Sequence, residues 1–192
     1  MARSKEFDPD EALERAIRVF ARGGYDGAST EELVTAMNIS RQSMYDTFGD
    51  KRQLYLQALQ RYCSENTAQI IGTMYLHPSQ LQGLQSALLE FAGRLAKNPE
   101  QGCLGIGATA QFGRSDPDIT AIIDQSGTTL TAAFERLIRE GQKSGEMARD
   151  MDPSVAAQFV SSLLVGLKLS ARAGVTPTAL RGIVQTALRS FQ

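Results

Sequence analysis

Between Ser40 and Lys51 the chain gathers side chains suited to recognition rather than to bond-breaking: Arg41, Gln42, Ser43, Tyr45, Thr47 and Lys51, interleaved with apolar Met44 and Phe48. An arginine or glutamine can bond a base edge through two atoms at once, and hydroxyls bond phosphate oxygens. Lys51 follows Phe48-Gly49-Asp50 and so opens a helix, where an ammonium and free backbone N–H groups together suit one phosphate. Thr30 stands just inside another helix start, in Ser29-Thr30-Glu31-Glu32. A different chemistry is offered by Cys103 in Gly102-Cys103-Leu104-Gly105-Ile106-Gly107, because a thiol at a helix N-terminus has a lowered pKa and becomes nucleophilic. The bland alternative for Cys103 is a small buried residue, and it is the favoured one.

Other chemistries lack their parts. The two cysteines, Cys63 and Cys103, have no CxxC spacing, so neither a disulfide framework nor a zinc site is expected, and no metal is implied. There is one histidine, His77, with no HExxH, no GxSxG and no phosphate loop, so no nucleophile and base are assembled: the chain reads as not an enzyme, and no cofactor is implied. The net charge is −1, and residues 1–56 hold eight Lys/Arg against ten Asp/Glu, so a nucleic-acid reading must rest on local geometry. No run approaches about 20 uncharged apolar residues, and Met1-Ala2-Arg3-Ser4-Lys5-Glu6 lacks the apolar stretch of a signal peptide, which reads as cytoplasmic.

The elements that must position these residues are helices. Asp8-Pro9 is an N-cap followed by proline at the first helical position, and Leu13, Ala16, Ile17 and Phe20 recur at helical spacing until Gly23-Gly24 is expected to stop the helix. Ser29 to Glu32 forms a capping box ahead of a helix with Leu33, Val34 and Met37 on its apolar side. Asn38-Ile39-Ser40 makes a tight turn, with Ser40 as a cap rather than a DNA ligand, into a third helix of about eight residues. A fourth helix is expected from about Lys51 to Leu76. Breakers at Asn98-Pro99, Asp116-Pro117, Gly145, Asp152-Pro153 and Thr176-Pro177 then cut the remainder into helices near 79–97, 102–113, 117–144, 153–173 and 177–191. The fold class is all-α with nine helices. Three short helices with a three-residue turn between the second and third match a helix-turn-helix, whose third helix enters the major groove. The expected division is 1–50 for this domain and 51–192 for a larger helical one. Arg3 and Lys5, in a polar N-terminal arm, add candidate backbone contacts, and Arg52 reads as a solvated charge.

Phe20-Ala21-Arg22-Gly23-Gly24-Tyr25-Asp26-Gly27-Ala28-Ser29-Thr30-Glu31-Glu32-Leu33 and Ile39-Ser40-Arg41-Gln42-Ser43-Met44-Tyr45-Asp46-Thr47-Phe48-Gly49-Asp50-Lys51 closely resemble the TetR family of bacterial repressors. The resemblance covers about the first 55 residues; length and helix count agree beyond them. It implies that Thr30, Ser43, Tyr45, Thr47 and Lys51 occupy DNA-contacting positions, with Tyr45 and Lys51 on phosphates. Two departures stand out: Thr47 occupies a position where many members have His, and Glu31 one where some have a basic residue. The resemblance also implies a homodimer on a palindromic operator, built by the last two helices, and a small-molecule effector bound between helices of the C-terminal domain.

The apolar residues there, including Leu104, Ile119, Ile123 and Phe134, are core by default. Within that set the ligand-binding candidates are Phe91, Leu95, Cys103, Ile106, Phe112, Phe159 and Leu163, with Thr109 and Gln111 able to orient a ligand or simply to face solvent. Some members of a TetR subgroup with similar Gly-Cys-Leu segments sense electrophiles through that thiol. Ser161, Ser162, Gly166 and Ser170 form a small-residue stripe that permits close helix packing. The reading is a DNA-binding repressor released by a small apolar molecule or a thiol-reactive electrophile; the alternative is a factor of the same fold with no small-molecule inducer.

Overall fold

The structure is a computed structural model and describes residues 7–97 and 103–192. Arg3, Lys5, Asn98-Pro99 and Gly102 fall outside the described residues. The described chain forms nine α-helices in the order α1 (Pro9–Gly27), α2 (Thr30–Met37), α3 (Arg41–Phe48), α4 (Lys51–Met74), α5 (Gln80–Lys97), α6 (Leu104–Phe112), α7 (Pro117–Ser144), α8 (Pro153–Arg172) and α9 (Pro177–Leu188), closed by a 3₁₀ turn, Arg189–Phe191. No strand occurs among the described residues.

The caps act where the residue types place them. Asp8 accepts from the N–H groups of Asp10 at 2.8 Å and Glu11 at 3.4 Å. Ser29 accepts from Glu32 N–H and Ser40 from Ser43 N–H, each at 3.0 Å, and Asp152 caps α8 in the same way. Glu32 itself points its carboxylate toward Arg22 at 3.7 Å. The expected stop of α1 at Gly23-Gly24 is a kink instead: Gly24 takes φ 68° and ψ −174°, and the chain resumes helical geometry to Gly27. A glycine suits that backbone, and a Cβ there would stand 3.2 Å from the Gln111 side-chain oxygen.

The chain groups into two compact units. The first comprises the described residues of 1–64 and 101–123, the second those of 65–100 and 124–192, a grouping that cuts across the division at residue 50. In the first, Phe20, Leu33, Met44, Leu54, Tyr55 and Leu59 are buried together with Leu104, Ala108 and Ile119. At about 1.5–3 kcal/mol for each fully buried large apolar side chain, such a core outweighs the weak intrinsic stability of eight-residue helices. In the second, Leu84, Leu88, Phe91, Phe134, Ile138, Val160, Leu167, Val184 and Phe191 form the core. Gly83 marks a close approach within it, since a Cβ there would collide with the Met74 carbonyl oxygen. Helix α8 has the length and apolarity of a membrane span by composition alone; its buried side, from Ala156 to Ala171, belongs to this core, as in a core helix of a helical protein.

Candidate nucleic-acid interface

Helix α3 is held from one side. Met44 is fully buried and Phe48 nearly so, which leaves Arg41, Gln42 and Tyr45 exposed, with Tyr45 at 43%, and Ser43 and Thr47 half-buried. Asn38, in the left-handed region at φ 56°, turns the chain between α2 and α3, and its backbone N–H satisfies the last carbonyls of α2. Gln42 donates to Asp46 at 2.8 Å along the outer face, and the Ser40 and Ser43 hydroxyls lie 2.8 Å apart. Thr30 is half-buried in the first turn of α2, and Glu31 is exposed beside it. This is a polar surface carried on a rigid apolar support, the arrangement by which a recognition helix presents side chains to base edges and phosphates.

Lys51 opens α4, and its ammonium lies 4.5 Å over the centre of the Tyr25 ring. Tyr25 packs edge-on against Tyr55 at 5.2 Å and tilted against Phe112 at 5.8 Å. Burial pushes the Tyr55 phenol up to about 12. The expectation that Arg52 is a solvated charge is corrected: its guanidinium reaches both Asp116 oxygens, at 3.0 and 2.9 Å, and Asp118 at 3.0 Å. Asp116 also caps α7, accepting from the N–H groups of Asp118 and Ile119. Its carboxyl is held below the usual carboxylate range first by the Ile119 N–H and then by Arg52.

The ligand candidates fall in both units. Phe91, Leu95, Phe159 and Leu163 belong to the second, and Cys103, Ile106 and Phe112 to the first. Phe91 is buried, whereas Leu95, Leu163, Cys103, Ile106 and Phe112 are half-buried. Phe159 departs from the interior position expected of it: it is 45% exposed, and Val155, Val165 and Leu169 of the same helix are exposed too, because the buried side of α8 runs through Val160, Leu164 and Leu167. Thr109 donates to the Gly105 carbonyl within its own helix, and Gln111 accepts the Tyr25 N–H at 3.0 Å. Cys103 caps α6 rather than beginning it, its sulfur accepting from Ile106 N–H at 3.4 Å. The Tyr62 phenol hydrogen-bonds Cys103, and burial first, then the thiol, pushes that phenol up.

Three of the partnerships that escaped the sequence reading are Arg52 with Asp116, Tyr25 with Lys51 and Gln111 with Tyr25. The last spans 86 positions, and no local pattern announces it.

An all-helical chain with this capped three-helix unit and a polar third helix defines a helix-turn-helix DNA-binding protein. Residues 12–58 match the family model described as "Bacterial regulatory proteins, tetR family", and residues 80–187 match the "Tetracyclin repressor-like, C-terminal domain". The chain is 29% identical over 191 residues to the HTH-type transcriptional regulator YezE of Bacillus subtilis (strain 168), covering 98% of each chain. It is 26% identical to the HTH-type transcriptional repressor ComR of Escherichia coli (strain K12), covering 97% of this chain and 90% of that one. Among solved structures, the TetR family regulator CifR, a cysteine mutant complexed with 26-bp double-strand operator DNA, superposes with a TM-score of 0.84 at 30% identity over 100% of both chains. The chain therefore belongs to the TetR family of bacterial regulatory proteins, a family of transcriptional regulators rather than enzymes.

Proposed function

We propose that this protein represses transcription by binding a palindromic operator as a homodimer, in the cytoplasm, and that a small molecule releases it. Residues 1–50 read the DNA and residues 51–192 sense the effector and dimerise. The observation that carries this reading is the one-sided burial of α3, which leaves Arg41, Gln42 and Tyr45 exposed, with Ser43, Thr47 and Lys51 beside them. Thr30 and Lys51 stand at the first turns of α2 and α4, where free N–H groups favour phosphate, and Tyr45 supplies a hydroxyl for the backbone.

Dimerisation is supported by α8 and α9. Val155, Phe159, Val165 and Leu169 on α8 and Ile183 on α9 are large and exposed, an apolar surface of the kind an obligate interface covers. Gly166 lies among them with nothing within 4 Å of where a Cβ would stand. A C2 dimer places two recognition helices on successive major grooves of a palindrome.

The effector is either a mostly apolar molecule, with Phe91, Leu95 and Leu163 of the second unit or Ile106 and Phe112 of the first as its candidate contacts, or an electrophile captured by Cys103. One feature supports the thiol: its place at the N-terminus of α6. The test treats the operator complex with N-ethylmaleimide. Release that is lost in Cys103→Ser, with unchanged binding of the untreated variant, assigns the thiol. Titrating apo protein and complex with apolar compounds covers the other arm, since linkage requires an inducer to bind the two with different affinities. Equal affinity for both forms, together with no response to the alkylator, identifies the uninduced DNA-binding factor.

A further inference from the structure

Lys51 is held by a chain of contacts that begins on α6. The Lys51 ammonium sits over the Tyr25 ring at 4.5 Å. Tyr25 is fixed along two directions: its N–H donates to Gln111 at 3.0 Å, and its ring packs against Phe112, the next residue of α6, and Tyr55. The Gly24 kink is what turns this N–H out of the helical ladder toward Gln111. A lysine has four rotatable stem bonds, so a free one loses much of its entropy when it binds phosphate; an ammonium already seated on an aromatic face loses less. Arg52, the next residue along, is fastened to Asp116 and Asp118 at the start of α7, so the turn that carries Lys51 is gripped from the same stretch of chain.

We propose that Tyr25 is a positioning residue for Lys51 and that Gln111 on α6 sets Tyr25, so that α6 governs the phosphate contact directly. The inference rests on the reading of Lys51 as a phosphate ligand. It adds a route within the first unit from Cys103, the N-cap of α6, through Gln111 and Tyr25 to the DNA. A shift or rotation of α6 that withdraws Gln111 frees Tyr25, and Lys51 then pays its full ordering entropy on binding.

The test is a double-mutant cycle read by operator affinity across a salt series. Tyr25→Leu removes the aromatic face and is expected to weaken binding roughly two- to fivefold in the parent, the range of an exposed cation–π contact, and to have no effect in the Lys51→Ala background. Tyr25→Phe keeps the ring and retains parent affinity. Gln111→Ala, at an exposed side chain outside the aromatic cluster, weakens binding in the same Lys51-dependent way without lowering the melting temperature, which covers the case in which Tyr25→Leu folds poorly. Equal effects of Tyr25→Leu and Gln111→Ala with and without Lys51 overturn the positioning role alone. A Lys51→Ala protein that binds operator like the parent, with the same salt slope, overturns the phosphate reading and this inference with it.

Discussion

Two exposed faces of this molecule differ in what their exposure demands. The outer face of α3 carries Arg41, Gln42 and Tyr45, polar or amphipathic groups that water satisfies in the free protein. The outer face of α8 carries Val155 at 68%, Leu169 at 50% and Phe159 at 45% exposure, groups that gain nothing from water. The first surface is therefore stable until a ligand arrives, and its partner must compete with water for each hydrogen bond. The second is an apolar patch that calls for permanent cover. On the proposed reading, DNA recognition and self-association run on different forces in one chain, and their responses to charge, bulk, salt and acid should separate.

The largest effect is expected from a charge on the apolar face. Leu169→Glu would bury an unpaired carboxylate in the dimer, a cost of several kcal/mol and so a loss of association of a hundredfold or more. Light scattering at micromolar concentration should then give the mass of one subunit, against two for the parent; an unchanged dimer would remove Leu169 from the interface. Gly166→Leu sharpens the same point with bulk instead of charge. Its Cβ meets nothing within the subunit, so a stable fold with weakened dimerisation, by about 1–3 kcal/mol, reads the partner's backbone directly. A drop in melting temperature at a concentration where both proteins are monomeric would contradict it.

The polar face should respond to salt. Lys51→Ala is expected to weaken operator binding nearly equally for all sequences and to lower the slope of log K against log salt by about one unit, because a phosphate contact carries no base information. Tyr45→Phe should weaken binding by a smaller factor with no change in melting temperature, since the ring stays and only an exposed hydroxyl is lost.

The smallest effect concerns acid. Asp116 is held below its ordinary pKa in the folded protein, so the stability it adds is present above the usual carboxylate range and is lost as pH falls through the lowered value. Asp116→Asn preserves the cap but not the ion pair with Arg52. Its melting temperature should fall slightly below the parent's at neutral pH and converge with it in acid; a constant difference would show that Arg52 contributes nothing there.

Much of the helix-turn-helix was legible because its signals are local. Asp8, Ser29 and Ser40 each bond N–H groups two or three residues ahead, and the spacing of Met44 and Phe48 settles which side of α3 is buried. Gly24 was legible as a breaker but not as a kink, since whether a helix resumes depends on what the next residues pack against. Along α8 helical periodicity marks an apolar side, yet Phe159 and Val160 differ by one position and only the second is buried. A core stripe and an interface stripe obey the same period, so periodicity cannot tell them apart.

What the sequence determined by itself, then, is everything set within about four residues: the helices, their caps, the turn at Asn38, and the polar character of α3. What only the tertiary structure decided are the pairings across long stretches of chain. Gln111 meets Tyr25 from 86 positions away, and Arg52 meets Asp116 from 64, because burial of Leu104, Ala108 and Ile119 with Phe20 and Tyr55 brings those segments into one core. Hydrophobic burial is non-directional, so it names which residues must be covered and leaves their neighbours to be settled by packing.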